Sequence, residues 1–288
     1  MTMMATATMA SADTVRLETP RSSCEMACMG ARVMSFKVDG RETFFAPRQW
    51  KNDGTAFSHG GIPLCWPWFG SSGPEGSKKH GFAYSLEFKV VERSATNVVL
   101  AARSSPATLA LWPHDFTLEY SVTLEEDALS VKLETTNVSP ETFMLTCGFH
   151  PYFALADRDK ATVKGLDGRA YCDSRVTTSF DSTWKGDLAV TSSFDHVFAS
   201  PDGEYNLIDG ASGYTVTISA KGNRRIVVWN PGKDRPTEDP PPPGAVGPGD
   251  WRHLVCVEPA TLWKDQAFAI PPGGKNVHSM KIRVSGPR

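Results

Sequence analysis

The chain carries no surplus of positive charge. Its 30 lysines and arginines face 32 aspartates and glutamates, a formal net charge of −2 over 288 residues. Phosphate-rich partners are bound through such a surplus, so no nucleic-acid partner is expected. No stretch approaches the roughly 20 consecutive apolar residues that cross a bilayer, so no membrane partner is expected either. The opening MTMMATATMASAD has no basic segment and no continuous apolar run. A secretory leader needs both, and the expectation is a cytoplasmic protein.

Cysteine is sparse as well. The six residues are Cys24, Cys28, Cys65, Cys147, Cys172 and Cys256. Most stand in apolar, strand-like contexts where a free thiol packs as a small hydrophobe, so reduced cysteines are expected. Cys24 and Cys28 are one residue too far apart for a CxxC pair. No second Cys/His pair has zinc spacing, so no metal is expected. Three further absences narrow the chemistry: no GxSxG elbow, no GxxxxGK[ST] loop and no dinucleotide fingerprint. The acidic pairs Glu125-Glu126 and Asp157/Asp159 fall in turns, where carboxylates are merely solvated, so they are poor glycosidase candidates.

Helical periodicity is missing too, and period-2 alternation takes its place. Every second residue of Phe116 to Leu124 is apolar, and after a polar turn Leu129, Val131 and Leu133 resume the pattern, which predicts a hairpin. Similar strands are expected at Ala31 to Val38, Glu87 to Val91, Asn97 to Arg103, Phe143 to Cys147, Thr215 to Ser219, Arg225 to Trp229, Trp251 to Val257 and Val277 to Val284. Strands this numerous, with 40% hydrophobic residues to fill a core, predict an all-β antiparallel two-sheet sandwich with few short helices. Residues 1–14 read as a flexible N-terminal segment and 15–288 as a single domain. Asp53 to Ser58, Gly70 to Lys79 and Asn230 to Asp250 read as loops. The last contains Pro240 to Pro243, which predicts a stiff surface connection rather than a docking ligand.

Four short segments hold titratable side chains in aromatic frames: SHGGIPLCWPWFG from Ser58, HGFA from His80, GFHPYF from Gly148 and CVEPA from Cys256. Glu258 follows the apolar run Leu254 to Val257 and precedes Pro259, which is expected to end the strand and turn the chain. Local sequence alone allows a solvated strand-end Glu there, and a core histidine at His150. Trp66, Trp68, Phe69, Phe82 and Trp229 could stack on the apolar face of a sugar ring. Most aromatics at such alternating positions are core, so one or two are expected at a ligand.

In this order the four segments resemble the galactose-mutarotase-like superfamily, and most closely its hexose-6-phosphate mutarotase branch. The resemblance runs from about Leu17 to Val284. It implies a large two-sheet supersandwich, a monomer, no cofactor, and interconversion of α and β anomers by acid/base ring opening. By the same resemblance Glu258 is the general base and His150 the general acid. His80 places the ring oxygen or a neighbouring hydroxyl, and Asp195 accepts hydrogen bonds from sugar hydroxyls. Trp66 is the expected stacking residue.

The chain departs from that branch at two positions. Where the branch reads IRGG and HGFAR, this chain has His59 and Tyr84. Those arginines are the branch's expected phosphate ligands, since guanidinium holds phosphate through two parallel bonds. Lys79, with Lys78, Arg48 and Lys51 nearby, is the expected substitute beside His59. Two other readings stay open: a mutarotase for an unphosphorylated or modified aldose, and a non-catalytic carbohydrate-binding protein of the same fold.

Overall fold

A computed structural model describes residues 14–287 apart from Pro236. Of the expected flexible segment 1–14, only Thr14 is among the described residues, and it opens the strand Thr14–Glu18.

Two large antiparallel sheets dominate. The nine-stranded sheet runs in the order Leu188–Ala189, Ala161–Lys164, Gly203–Asp209, Tyr214–Lys221, Lys275–Ser285, Ala128–Asn137, Phe116–Leu124, Asn97–Arg103, Lys89–Arg93. The eight-stranded sheet runs Ser182–Thr183, Ala170–Asp173, Phe194–Ala199, Arg225–Asn230, Leu254–Ala260, Gly148–Phe149, Leu64–Cys65, and Tyr152–Ala154 also pairs with Leu254–Ala260. A four-stranded sheet, Thr14–Glu18 to Arg41–Glu42, and the pair Phe143–Leu145/Phe268–Ile270 complete the strands. Among the described residues helix is confined to Pro106–Leu111 and four short 3₁₀ turns. This is the all-β supersandwich that the alternation predicts.

Alternation builds the core directly. In Phe116–Leu124 the residues Phe116, Leu118, Tyr120, Val122 and Leu124 are all buried. From the other sheet Ile226, Val228, Val255, Val257 and Phe149 join the same cluster. Each such side chain contributes about 1.5–3 kcal/mol on burial, an upper figure because unfolded chains are themselves partly compact. The edge strand Lys89–Arg93 is exposed throughout and carries Lys89, Glu92 and Arg93. Charges of this kind discourage edge-to-edge pairing with another chain.

The same period sets the chemistry on the sheet's other face. If Val255 and Val257 point inward, Cys256 and Glu258 must point outward, because successive strand residues alternate. Ile226 and Val228 in the core likewise turn Val227 and Trp229 outward, and core Phe194 turns Asp195 the same way. Register then aligns them: Asp195 lies opposite Trp229, and Val227 opposite Glu258.

Pro259 does not end its strand, contrary to expectation. Leu254–Ala260 continues through it, with Pro259 opposite Ile226. Proline lacks a donor but keeps its acceptor, and the Pro259 carbonyl takes a 3.0 Å hydrogen bond from His278 Nε2.

Candidate active site

A cavity of about 1030 Å³ opens on the outward face of the eight-stranded sheet, and Glu258, His150, His80, Asp195, His59 and Lys79 all line it. Glu258 and His150 meet at its floor. The register Gly148↔Ala260 continues as Tyr152↔Cys256, which sets His150 directly across from Glu258. Cross-strand neighbours bring their Cβ atoms within about 5.5 Å. Here His150 Nε2 stands 3.3 Å from Glu258 Oε2. The two groups therefore touch.

Both are deeply buried, His150 at 6% and Glu258 at 1% exposure. Among the described residues, His150 Nδ1 and Glu258 Oε2 have no hydrogen-bond partner. Burial pushes the Glu258 carboxyl well up, and the Asp195 charge adds to it. Burial pushes the His150 imidazole well down, with His80 and His59 adding to that. Both shifts favour uncharged forms, so the pair holds one proton between them. The His150 ring stacks on Tyr152 at 4.6 Å and lies near-parallel to Phe69 at 6.1 Å. Aromatic packing of this kind fixes its plane.

His80 is held by a strained backbone. Its φ of +65° lies in the left-handed region, and Gly81 follows at +71°. A Cβ on Gly81 would fall 2.0 Å from the Trp66 carbonyl oxygen, so the close approach needs glycine. The Gly70 N–H donates to His80 Nδ1 at 3.3 Å, and Cys65 Sγ lies 3.2 Å from the same atom. Nδ1 is thus an acceptor and the proton sits on Nε2. Burial lowers this imidazole to about 4, so His80 is a neutral donor rather than an acid.

His59 is pinned from the opposite side. Its backbone N–H and its Nδ1 both reach the Gly244 carbonyl, at 2.8 and 2.9 Å. A carbonyl can only accept, so Nδ1 carries the proton. Burial lowers His59 to about 4 as well, which removes it as a cation near neutral pH. The proline-rich loop that supplies Gly244 also brings Arg235 to the cavity wall, where its guanidinium lies 5.3 Å from the Trp229 ring.

The rim is cationic. Lys78, Lys79, Arg175, Arg235 and Lys264 line it, against Asp195 and Glu258 as the lining carboxylates. Arg175 is committed to Asp173 by a two-pronged hydrogen bond. The Asp195 carboxyl is raised chiefly by burial. Of the other expected cations, Arg48 pairs with Asp239 at 3.7 Å and Lys51 with Asp53 at 2.7 Å, and neither lines the cavity. Sequence reading missed Arg175, Arg235 and Lys264, which lie in turns and loops or on the 3₁₀ turn Lys264–Gln266, with no local signal. Tyr84 does line the cavity.

Trp66 does not. It is fully buried, donates Nε1–H to Thr135 Oγ1 at 3.0 Å, and packs edge-on against Phe82, Trp112 and Phe116. It is a core residue because Leu64–Cys65 delivers it toward the nine-stranded sheet. Trp68 and Phe82 are also core, while Phe69 and Trp229 line the cavity together with Phe57, Tyr152 and Trp263. One metal-capable group stands out among the described residues: ligand atoms of His150, Cys256 and Glu258 lie within 4.8 Å of one another.

Comparison with known proteins identifies the family and the fold. The sequence profile of the family described as aldose 1-epimerase matches residues 13–283. A protein of Escherichia coli (strain K12) named "Putative glucose-6-phosphate 1-epimerase" is 28% identical over 262 residues, covering 86% of this chain and 83% of its own. One of the same name from Cenchrus ciliaris is 28% identical over 276 residues, covering 90% and 80%. Among solved structures, a "putative mutarotase (YeaD)" from Salmonella typhimurium superposes with a TM-score of 0.82 at 24% identity, over 95% of this chain and 90% of that one. The Slr1438 protein of Synechocystis sp. PCC 6803 gives 0.78 at 20% identity, over 99% and 100%. These structural likenesses carry the fold.

Proposed function

The chain belongs to the aldose 1-epimerase family, and from that premise we propose that it interconverts the α and β anomers of a hexose 6-phosphate, with Glu258 and His150 as the acid/base pair. The observation that carries this is the 3.3 Å contact of the two side chains at the floor of the cavity. In the cyclic sugar O1 and O5 share one carbon, so two proton-handling groups must themselves be close neighbours.

Glu258 as carboxylate takes the proton from the C1 hydroxyl. The C1–O5 bond breaks, O1 becomes the aldehyde oxygen, and His150 as imidazolium delivers a proton to O5. Rotation about C1–C2 presents the other face of the carbonyl, and closure returns both protons. During the open-chain stage Glu258 is protonated and His150 neutral. That is the protonation state burial favours, so the site stabilises the stage at which it must hold the intermediate. His80 Nε2–H supplies a fixed donor, Asp195 accepts from hydroxyls, and Phe69 or Trp229 covers an apolar sugar face. The cationic rim suits a phosphate held at the mouth.

The test is anomer exchange on glucose 6-phosphate, followed by exchange spectroscopy. Wild type should exchange rapidly, and Glu258→Gln should bind but fail to exchange. Wild-type exchange by that variant would remove Glu258 from the chemistry. One observation favours a second substrate, an unphosphorylated aldose: His59 and Tyr84 occupy the places of the branch arginines, and neither is cationic. Free glucose turned over as well as its 6-phosphate would decide for it.

A further inference from the structure

Buried beside the pair at the floor of the cavity is a third side chain that the acid/base chemistry leaves unused. Cys256 precedes Glu258 by two residues, so both project from the same face of Leu254–Ala260. His150 faces them from the neighbouring segment. Two residues at i and i+2 on one strand, with a third across the ladder, form a compact triangle of donors. Their nitrogen, sulfur and oxygen atoms lie within 4.8 Å of one another. We infer that His150, Cys256 and Glu258 form an inhibitory binding site for a zinc-class divalent cation, which occupies the acid and the base together.

Distances and ligand chemistry each support it. Zinc binds imidazole nitrogen and carboxylate oxygen at about 2.0–2.2 Å, which separates two such ligands by about 3.4 Å at a tetrahedral angle. The His150 Nε2 to Glu258 Oε2 separation is 3.3 Å. Glu258 Oε2 is buried and without a hydrogen-bond partner among the described residues. The donor set mixes thiolate, imidazole and carboxylate, which suits zinc and cobalt and repels magnesium or calcium, which want oxygen alone. A bound cation would take its fourth ligand from the cavity, which His150 and Glu258 line.

The site rests on the proposed function only for the word inhibitory, and the experiment separates the two. The full chain, freed of metal with chelator, is titrated with cobalt(II). A sulfur-to-cobalt charge-transfer band and the visible bands of tetrahedral cobalt are expected in wild type, and neither in Cys256→Ser or Cys256→Ala. Persistence of the band in both variants would place the metal on another cysteine and overturn the inference, as would its absence from wild type. On glucose 6-phosphate, zinc should stop anomer exchange in wild type, chelator should restore it, and excess magnesium should do nothing. In chelator the Cys256 variants should exchange at the wild-type rate, which also shows that they fold. Even an outer-shell partner is worth about 10–100-fold in metal affinity. Removing the thiolate should therefore raise the inhibitory zinc concentration at least tenfold, and an unchanged concentration would overturn the inference. No exchange by wild type in chelator, with the cobalt bands present, would sink the mutarotase reading and leave the metal site standing.

Discussion

His150 and Glu258 are neighbours across a strand ladder, with Nε2 3.3 Å from Oε2, although 107 intervening residues separate them in sequence. Each is followed by a proline, Pro151 and Pro259, at a position facing its partner's neighbour in the same register. The prolines withdraw donors from this stretch of the ladder, and the His150 N–H turns instead to the Pro63 carbonyl at 3.1 Å. The geometry predicts that the two act as one unit. His150→Asn and Glu258→Gln should each lower the exchange rate by about 10²–10⁴-fold. The double variant should be no slower than the worse single, because half an acid/base pair moves no proton through the cycle. Multiplied losses, measured by exchange spectroscopy on all four proteins, would mean that the two residues act at separate steps.

The sheets were largely legible and the site only in part. Phe116–Leu124 announces itself because every inward residue is large and apolar, and Ala128–Asn137 because Leu129, Val131 and Leu133 continue the alternation. Ser22–Ala27 is hidden because its inward positions include Ser22 and Cys24. Ala170–Asp173 is hidden because it sits near a sheet edge with one fully buried residue, Cys172. Among the candidate residues Glu258, His150 and His80 were legible from their aromatic and proline frames. Arg235 was not, since a loop's path depends on contacts such as Gly244 with His59 and Gln49, which leave no periodic trace. Trp66 was misplaced because an aromatic beside a cavity and one behind it look alike in sequence.

Trp66 therefore gives a prediction about stability, with no effect on the sugar. Trp66→Phe removes the donor to Thr135 and leaves that buried hydroxyl without its partner, and the smaller ring leaves a void. The expected cost is about 1–3 kcal/mol, read as a lower urea midpoint with an unchanged slope. The Michaelis constant for glucose 6-phosphate should not move. A rise in it with stability intact would return Trp66 to the sugar.

Acid should unfold this protein early. His59, His80 and His278 are each held at about 4 chiefly by burial, against an ordinary value of 6.5. Below that ordinary value the unfolded chain takes up protons that the native protein refuses, so stability falls as pH falls. The loss begins near pH 6.5, accumulates down to about pH 4, and these three groups contribute no more below it. For His278, at 1% exposure, the full loss is about 3 kcal/mol. Urea midpoints measured between pH 7.5 and 3.5 (roughly the histidine window) check this. A midpoint flat from 6.5 to 4 would show that these imidazoles titrate normally in the native protein.

Phosphate recognition gives the prediction most sensitive to charge. The rim cations Lys79, Arg235 and Lys264 are exposed and line the mouth of the cavity, while Arg175 is occupied by Asp173. Exposed pairs are each worth at most about 1 kcal/mol, or roughly fivefold in affinity, and are screened by salt. Lys79→Ala and Arg235→Ala should therefore each weaken glucose 6-phosphate by up to about fivefold and leave free glucose unchanged. Wild-type affinity for the phosphosugar should fall steeply with added salt, since the arginines that line the cavity, Arg175 and Arg235, are exposed. Calorimetry with both sugars at two ionic strengths distinguishes the cases. If Lys79→Ala and Arg235→Ala bind glucose 6-phosphate as wild type does, the phosphate is held elsewhere. If wild type itself prefers neither sugar, His59 and Tyr84 have replaced the branch arginines without compensation, and the substrate is an unphosphorylated aldose.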